Sequence, residues 1–451
     1  MFMVLYIQCI KYEYYVWRKN NSVLSDNIKL LMNQRRTAME LDIKSMGAVS
    51  DGRTKNTDII QRAIDTCSLS GGRVIISDGV YMTGKLVMKS NVEIHITAGG
   101  VLLGSPDYSD YPEADDLTHV DTKMLPRERN ACLIFAENCK NISITGMGTI
   151  DCNGQYFVEH DKNVNSKHTW TYRRIETLTP PRAVFFTGCE NIKVEDVTMI
   201  NQPAGWSYWI HDCAYVTFDK VKIIADIHYP NNDGIHINCS HDVGITNCFI
   251  TCGDDCIVVR ANSISLKDNK PCERVCVSNC TLTSYANGIR IGWMNDGTIK
   301  NCCFSNIVMT ETRNGIGIVL PYRMRQSGNV RRFNPKNPIS TDVGREETLI
   351  ENILFDNIIM DGIYVYPINI SIDNNLETRC QKIDNIRFSN VHAKALNYPH
   401  FKGRESTPLG DIYFYNCSFT VKDEIDGEES PHSDMVLEYA KKMHFINTEF
   451  N

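Results

Sequence analysis

Short segments in which apolar and polar residues alternate recur along most of the chain, and many of them end in asparagine. Examples are Val275-Cys-Val-Ser-Asn, Ile353-Leu-Phe-Asp-Asn and Ile386-Arg-Phe-Ser-Asn. Alternation with a period of two is typical of β-strands. A copy returns about every 30 residues with no helical pattern between copies, which predicts an all-β solenoid. We expect a parallel β-helix in which each copy adds one coil.

The asparagines that end these segments predict one corner of the solenoid. Asparagine tolerates the left-handed conformation and bonds its own backbone at turns. We therefore expect a structural role for a stacked column of these residues. Its members are Asn247, Asn279, Asn306, Asn357, Asn390, Asn416 and Asn447.

One early segment has helical periodicity instead. Its apolar positions fall on one helix face, and they are Ile59, Ile60, Ala63, Ile64 and Cys67. The open end of a solenoid needs a cover, so this segment predicts an N-terminal capping helix. Residues 1–38 follow neither pattern, and we interpret them as an atypical extension that precedes a β-helix domain over 39–451.

A second repeat lies inside the first and carries candidate chemistry. It is found at Asp233-Gly-Ile-His-Ile, Asp255-Cys-Ile-Val-Val, Asn287-Gly-Ile-Arg-Ile and Asn314-Gly-Ile-Gly-Ile. Strands in successive coils lie roughly 4.8 Å apart. The first residues of these four elements should therefore form a column at the edge of one sheet.

Asp254 directly precedes Asp255, and Gly253 permits a turn that brings both side chains to the column. Asp233 would then share a small surface with them. Like charges this close raise at least one pKa, and an acid beside ionised carboxylates suits glycosidic bond cleavage. The same oxygen atoms also suit calcium, or simple turn chemistry. Spacing alone leaves these three alternatives open.

Composition and charge narrow the partners. The 451 residues are 42% hydrophobic and 22% charged, which is ordinary for a folded protein. The 47 basic and 54 acidic residues give a net charge of −7, which disfavours nucleic acid. No apolar run reaches the roughly 18 residues of a membrane span. We expect neither nucleic acid nor a membrane as a partner, and the oligomeric state stays open.

The cysteines bear on localisation. The first ten residues are apolar, but they lack a positive start and a small-residue cleavage site. Without an export signal, the 18 cysteines indicate reduced thiols that fill a core. We therefore expect a cytoplasmic protein, with secretion as the alternative.

Three stretches resemble the polygalacturonase family, glycoside hydrolase family 28. They are Asn91-Val-Glu-Ile-His-Ile through Pro112, Pro181-Arg-Ala-Val-Phe-Phe through Trp206, and Asn231-Asn-Asp-Gly-Ile-His-Ile followed by Cys252-Gly-Asp-Asp-Cys-Ile. The resemblance covers roughly 39–425 and implies a right-handed parallel β-helix that hydrolyses pectic glycans with inversion and without metal or cofactor. It also implies that Asp254 is the general acid, and that Asp233 and Asp255 activate water. For inversion we expect carboxyl groups roughly 6.5–9.5 Å apart.

The chain departs from this family at two places. Asn287 replaces a histidine one coil after the aspartate pair, and Gly317 and Val319 replace an Arg-Ile-Lys pair of cations. Arg290 is a candidate for a displaced cation. The predicted substrate-binding residues are Asn232, His236, Asn287, Arg290, Tyr322 and Arg323.

The expected function is hydrolysis of an α-linked, galacturonate-containing oligo- or polysaccharide with non-standard subsites. Insertions over Asp107–Arg129, Gly154–Pro180 and Pro321–Glu347 are long enough to wall off one end of a cleft, which favours exo action. The last of them carries several arginines that make it a candidate lid. A pectate-lyase-like enzyme and a non-catalytic glycan-binding β-helix are the alternatives.

Overall fold

The structure is a computed structural model, and it describes residues 39–114, 116–126, 130–162, 164, 169–175, 181–322 and 343–451. The predicted extension over 1–38 and most of the insertion over 321–347 lie outside these residues. Within the described part of the chain, no helix is both long and apolar enough to cross a membrane.

The chain forms a right-handed parallel β-helix, as its alternation predicts. The strands of the solenoid fall into an eleven-stranded sheet and a 22-stranded sheet, and each strand pairs in parallel with the equivalent strand of the next coil. Two further pairs are antiparallel hairpins that branch from the coils.

The strands, in chain order, are β1 Met39–Asp42, β2 Asp51–Lys55, β3 Gly72–Ile76, β4 Gly79–Thr83, β5 Leu86–Val87, β6 Val92–Ile96, β7 Gly100–Gly104, β8 Cys132–Glu137, β9 Lys140–Thr145, β10 Thr149–Asp151, β11 Val158–His160, β12 Tyr172–Arg174, β13 Arg182–Thr187, β14 Glu190–Glu195, β15 Thr198–Ile200, β16 Tyr208–His211, β17 Ala214–Asp219, β18 Lys222–Ile224, β19 Ile235–Asn238, β20 His241–Thr246, β21 Phe249–Cys252, β22 Ile257–Arg260, β23 Cys272–Ser284, β24 Asn287–Ile291, β25 Thr298–Thr312, β26 Asn314–Leu320, β27 Thr348–Ile363, β28 Ile368–Ile372, β29 Cys380–Ala395, β30 His400–Lys402, β31 Ile412–Tyr415, β32 Ser418–Val421, β33 Glu424–Ile425, β34 Glu428–Glu429, β35 Val436–Glu438, β36 Met443–Ile446 and β37 Glu449–Phe450. One α-helix, α1, spans Thr57–Ser68. Short 3₁₀ turns span Tyr108–Asp110, Thr122–Met124 and Gly154–Phe157.

The predicted asparagine column is confirmed as a corner of the 22-stranded sheet. All seven residues have left-handed φ angles of 52–56°. Their amides also bond from coil to coil: Asn306 donates to Asn279 at 3.2 Å, and Asn357 donates to Asn306 at 2.7 Å. At Asn390 the amide turns to Asp356 instead, at 3.0 Å. The column therefore stabilises the bend and has a structural role.

Identical inward positions stack in the interior because every coil repeats the same geometry. The rings of Phe304, Phe355, Phe388 and Phe414 lie 5.0, 4.9 and 4.8 Å apart along the solenoid. These separations match the spacing of parallel strands. The stacked aromatic and aliphatic side chains form one continuous buried core.

The predicted capping helix is also confirmed. Helix α1 buries Ile60, Ala63, Ile64 and Cys67 against the first coil, and it contacts β1, β3, β5 and β6. Asn56 precedes the helix, but its amide does not cap it. That amide bonds the backbone of Val49 instead, at 2.7 and 2.9 Å.

The outward side chains of the eleven-stranded sheet form a row that crosses the strands, here called the outer row. Each member is in register with the next member of the row. In order along the solenoid they are Phe135, Phe185, Trp209, His236, Val258, Arg290, Gly317, Asn369 and His400.

Candidate active site

Three carboxylates meet beside the middle of the outer row. Asp233 lies just before β19, and Asp254 and Asp255 lie between β21 and β22. The N–H of Gly234 donates to the Asp255 carbonyl at 2.9 Å, which holds the two coils together. One carboxylate oxygen of each aspartate lies within 4.8 Å of the others. The predicted cluster is therefore present, and its chemical role stays a prediction.

Gly253 brings Asp254 and Asp255 to the cluster for a different reason than expected. Its φ lies outside the left-handed region, so conformational freedom is not what the position requires. A Cβ atom there would lie 2.2 Å from the carbonyl oxygen of Tyr229. Glycine is required because two backbone segments approach closely.

The carboxylate oxygens of the cluster are close together. The nearest oxygens lie within 4.8 Å of one another, while the expected separation of roughly 6.5–9.5 Å refers to whole carboxyl groups and stays a prediction. Carboxylates this close share protons as a group, so their titration belongs to the cluster. The stereochemistry of the reaction therefore has to be measured on the product.

Asp255 has the clearest electrostatic signature. Burial raises the pKa of its carboxyl, while the charge of Arg290 and two hydrogen bonds from Asn287 act in the opposite direction. Both bonds end on Oδ1, from the Asn287 N–H at 3.1 Å and from Nδ2 at 2.6 Å. A carboxyl with a raised pKa exchanges protons nearer neutral pH, which suits acid–base work.

Asp254 is held by three donors. Its Oδ2 accepts hydrogen bonds from the N–H of Asn231 at 3.0 Å and from the Asn231 amide at 3.1 Å. Its Oδ1 accepts from the N–H of Asp255 at 3.0 Å. These three hydrogen bonds hold the Asp254 carboxylate in place, and the choice between acid–base chemistry and a calcium site stays a prediction.

Asn232 requires a correction. We expected it to bind substrate, but its side chain is 0% exposed. Its Oδ1 accepts from the N–H groups of Gly253 and Asp254 at 2.8 and 3.1 Å, and its Nδ2 donates to the Asp226 carbonyl at 2.7 Å. Asn232 therefore holds the backbone at Asp254 in position through these hydrogen bonds, and it presents no surface to a sugar.

His236 lies directly beside the cluster, as predicted. Its Nδ1 is 3.4 Å from Oδ2 of Asp233, and its ring stacks on Trp206 with centroids 3.9 Å apart. The histidine is only 4% exposed. It therefore supports Asp233, and a direct substrate contact stays a prediction.

Asn287 and Arg290 both face the site from β24. Asn287 bonds Asp255 as described above. The Arg290 guanidinium donates to the carbonyls of Gly292 at 3.2 Å and Val319 at 2.8 Å, and it lies 4.5 Å from the Trp293 ring. Much of its hydrogen-bonding capacity is thus used by the protein. Its predicted contact with substrate is not tested by this geometry.

Tyr322 and Arg323 complete the predicted set of substrate-binding residues. The Tyr322 hydroxyl donates to Glu377 at 3.2 Å near the exposed end of β26. Arg323 and the other cations of the predicted lid lie outside the described residues. Tyr229 packs against Tyr172, with the two ring centroids 4.9 Å apart.

A hairpin made by β11 and β12 borders the site, and its contacts could not be predicted from the sequence. Trp170 donates from Nε1 to the Gly253 carbonyl at 2.5 Å. Arg174 bonds the Asn231 side chain and the Ala204 carbonyl, the latter at 3.1 Å. Both contacts reach the segments that hold Asp254. The predicted insertion over Gly154–Pro180 therefore contributes a wall beside the carboxylates.

On one side of the carboxylates the outer face of the sheet is sealed by four buried aromatic rings, here called the aromatic plug. Trp209 stacks on Phe185 at 4.1 Å and meets Trp206 edge-on at 5.2 Å. The Arg182 guanidinium lies 4.4 and 4.9 Å from the two indole rings. The plug consists of Phe135, Phe185, Trp206 and Trp209.

Loops cover the plug from outside. Val120 and Leu125, from the predicted insertion Asp107–Arg129, pack on it together with Leu266. His211 anchors the loop that carries Leu266 through Ser265, at 2.9 Å. Burial lowers the pKa of His211 to about 3, so this contact uses the neutral ring. The plug begins at Trp206, whose ring stacks on His236 beside Asp233.

Fold and site together define a class: a parallel β-helix that carries three crowded carboxylates on the outer face of one sheet. The model of the glycosyl hydrolases family 28 matches residues 118–270, a segment that contains all three aspartates. Over this segment the chain is similar to that family, as the resemblance of its motifs predicts.

The relatives are similar at a moderate level. A probable polygalacturonase of Vitis vinifera is 26% identical over 290 residues, covering 62% of this chain and 57% of the relative. An exo-poly-alpha-D-galacturonosidase of Dickeya chrysanthemi is 28% identical over 262 residues, covering 48% of this chain and 41% of the relative. The matches thus span about half the length of these two relatives.

A solved structure agrees with the fold. The exopolygalacturonase of Thermotoga maritima superposes with a TM-score of 0.67 at 21% identity, covering 92% of each chain. At this identity the likeness concerns the β-helix alone.

Proposed function

We propose that the chain is a glycoside hydrolase that cleaves an α-linked, galacturonate-containing glycan from one chain end. The observation that carries the proposal is the cluster of Asp233, Asp254 and Asp255 directly beside the aromatic plug. The family match supports the reaction type. The names of the two relatives, a probable polygalacturonase and an exo-poly-alpha-D-galacturonosidase, support the substrate class.

The proposed reaction uses the three carboxylates in two roles. Asp254 donates its proton to the glycosidic oxygen as the bond from that oxygen to the anomeric carbon breaks. A water held by Asp233 and Asp255 attacks the anomeric carbon from the opposite face, and its proton passes to one of these carboxylates. The result is inversion. Proton NMR of the first-formed product should show the β-anomer from an α-linked substrate, and an α-anomer would contradict inversion.

The aromatic plug supports cutting from a chain end. A long polymer needs an open cleft on both sides of the cleaved bond, and we infer that the packed rings block one of these sides. On the other side the outer row continues through Arg290 and Gly317 to Asn369. A substrate that enters from this side ends at His236, so it can place only a short terminal part beyond the cleaved bond.

The subsite next to the carboxylates supports a non-standard sugar there. Gly317 and Val319 carry no charge, and the guanidinium of Arg290 already bonds two backbone carbonyls. The charge of Arg290 remains and acts on Asp255, but uncharged residues replace the two cations of the family pattern at 317 and 319. We propose a neutral or decorated sugar at this position, as in a rhamnogalacturonan fragment.

Product analysis tests the proposal directly. Homogalacturonan, rhamnogalacturonan and neutral α-galactan oligomers are incubated side by side and analysed by mass spectrometry, with Asp254→Asn as the control. We expect a saturated product from a uronate-containing substrate, and none from the variant. Unsaturated products that a chelator abolishes would assign a lyase instead, and no product from any substrate would overturn the enzymatic proposal.

We also propose that the protein works in a reducing compartment such as the cytoplasm. Every cysteine of the described residues is a free thiol, and all but Cys276 and Cys303 are buried. Such thiols suit a reducing environment. Cell fractionation checks this proposal, and recovery of the protein outside the cell would contradict it.

A further inference from the structure

Gly317 occupies a position in the outer row where the backbone does not require glycine. The equivalent positions of the three preceding repeats are His236, Val258 and Arg290. The φ of Gly317 lies outside the left-handed region, so a side chain is sterically allowed by the local backbone. The reason for glycine must therefore lie in what surrounds it.

Other glycines of the same repeats have backbone reasons. A Cβ atom at Gly234 would lie 2.4 Å from the Cys256 carbonyl oxygen, and one at Gly315 would lie 2.5 Å from the Pro367 carbonyl oxygen. Backbone atoms in a packed coil cannot move away cheaply. These two glycines are structural.

Gly317 differs because the atoms in its way belong to side chains of the site. A Cβ atom there would lie 2.9 Å from Oδ1 of Asn287 and 3.7 Å from Cδ of Arg290. The first distance is too short for a real contact, and the second is ordinary packing. A side chain at this position would therefore displace the Asn287 amide and leave the coil intact.

The Asn287 amide is the group that holds Asp255. While its Oδ1 lies over Gly317, its Nδ2 donates to Asp255 at 2.6 Å. Arg290 closes the arrangement from the same strand, because its side chain crosses Gly317 to bond the Val319 carbonyl at 2.8 Å. The missing side chain thus makes room for two side chains that adjoin the carboxylates.

We propose that Gly317 is a positioning residue, whose missing side chain lets Asn287 hold the Asp255 carboxylate in its working orientation. This inference deepens the proposed function and rests on it for its kinetic consequences. The side chains of Asn287 and Arg290 and the missing side chain at Gly317 then depend on one another.

The predicted effect on pH dependence follows from the groups that face Asp255. Asp233 and Asp254 disfavour its charge, and Arg290 and Arg260 favour it. The hydrogen bonds from Asn287 also favour the charged form of Asp255. Displacing the amide therefore raises the pKa of Asp255. Because Asp255 must be ionised to act as a base, acidification stops it from acting at a higher pH than in the wild type. The acid limb of the kcat profile should move to higher pH.

A double-mutant cycle tests the proposal. Gly317→Ala and Asn287→Ala should each lower kcat about ten- to a hundredfold, the range expected when a bond to a charged group is lost. In the Asn287→Ala background, Gly317→Ala should change nothing further, because no amide remains to be displaced. If it still lowers kcat there, Gly317 acts by contacting substrate and the proposal is overturned.

Gly244→Ala is the matched control, since a Cβ atom there meets nothing within 4 Å. It should leave kcat, the pH profile and the melting temperature unchanged. An unchanged melting temperature for Gly317→Ala would exclude misfolding as the cause of its kinetic effect. If Gly317→Ala does not fold, the comparison of Asn287→Ala with the double variant Asn287→Ala/Gly317→Ala still tests the proposal. Neither of these proteins contains the amide that a side chain at 317 would displace.

A readout without substrate separates this inference from the proposed function. The Asp255 carboxyl is titrated by carbon NMR in aspartate-labelled protein, with Asp255→Asn for assignment. Its pKa should rise equally in Gly317→Ala, Asn287→Ala and the double variant. This result in a wild type that cleaves no pectic glycan would refute the function and keep the inference, and an unmoved pKa in Gly317→Ala would refute the inference.

Discussion

The two halves of the outer row differ sharply although they share one sheet and one register. Upstream of the carboxylates the row consists of Phe135, Phe185 and Trp209, all buried under loops. Downstream it passes through Arg290 and Gly317 to the polar side chains of Asn369 and His400. The same strand geometry therefore carries a packed apolar surface on one side and a polar surface on the other.

This comparison explains how a solenoid of similar coils can carry a site whose two sides differ. The coils supply a regular row of outward positions, and the loops decide which of them stay open. Val120, Leu125 and Leu266 close the upstream half. Asp233 and His236 lie at the boundary, and the proposal of chain-end cleavage places the end of the substrate there. We predict that substitutions at the boundary change the rate of cleavage, and that substitutions in the aromatic plug change the length of the product.

The largest expected effect tests the boundary. Asp254→Asn removes the proposed proton donor and keeps its shape, so activity should fall by about 10²–10⁴, the usual contribution of a positioned acid or base. Initial rates on the cleaved glycan measure the change. Asp361→Asn is the control, because Asp361 pairs with Lys394 at 3.2 Å on the exposed surface. Equal activity of the two variants would remove Asp254 from the mechanism.

The next effect tests the sealed half. Trp206→Ala removes a ring that packs on both Trp209 and His236. The free energy of unfolding should fall by about 3–5 kcal/mol, as for other buried aromatic truncations. The opened end should also admit a longer terminal part of the substrate, so products of several lengths should appear.

Phe388→Ala provides the comparison for Trp206→Ala, because Phe388 is fully buried in the interior stack. It should lose similar stability in urea unfolding and still give a single small product. If the two variants give the same products, the plug does not set the product length.

A smaller effect tests the electrostatics of the boundary. Burial raises the pKa of Asp255 above its ordinary value of 3.8. Its favourable contribution to stability is therefore present below that value and is lost as pH rises through the folded-state pKa. At pH 7 the ionised group is destabilising, so Asp255→Asn should raise the melting temperature, and the gain should vanish in acid.

Asp219→Asn should show the opposite sign. The amide of Asn247 donates to Asp219 at 2.8 Å and lowers its pKa. Its contribution is present above the ordinary aspartate pKa and is lost as pH falls, so the variant should be slightly less stable at pH 7. A gain in both variants would show a general effect of lost charge, with nothing special about Asp255.

Features that depend on a local sequence pattern could be predicted from the sequence. Asn279 and its equivalents, helix α1 and the column that includes Asp233 and Asp255 all follow from local periodicity. Contacts between a coil and a loop could not be predicted in this way. Trp170 reaches Gly253 across 83 positions of sequence, and nothing in its neighbours indicates that partner.

The partners that a side chain takes in the folded protein could not be predicted from the sequence either. Asn232 stands in a motif that suggests substrate contact, yet it is buried because the turn at Gly253 and Asp254 needs an acceptor for two N–H groups. Gly317 looks like the loss of a cation, although its empty space is filled by Asn287 and Arg290. Both facts depend on which atoms meet between coils, and a single sequence does not contain that information.

The central claim is that the cleft is closed on one side of the three carboxylates. The most direct test follows the product lengths and the viscosity of a long pectic polymer during the first few per cent of cleavage. The account predicts one small product from the start and a viscosity that falls slowly, because every cut is made at a chain end. An early ladder of mixed oligomers with rapid loss of viscosity would contradict it.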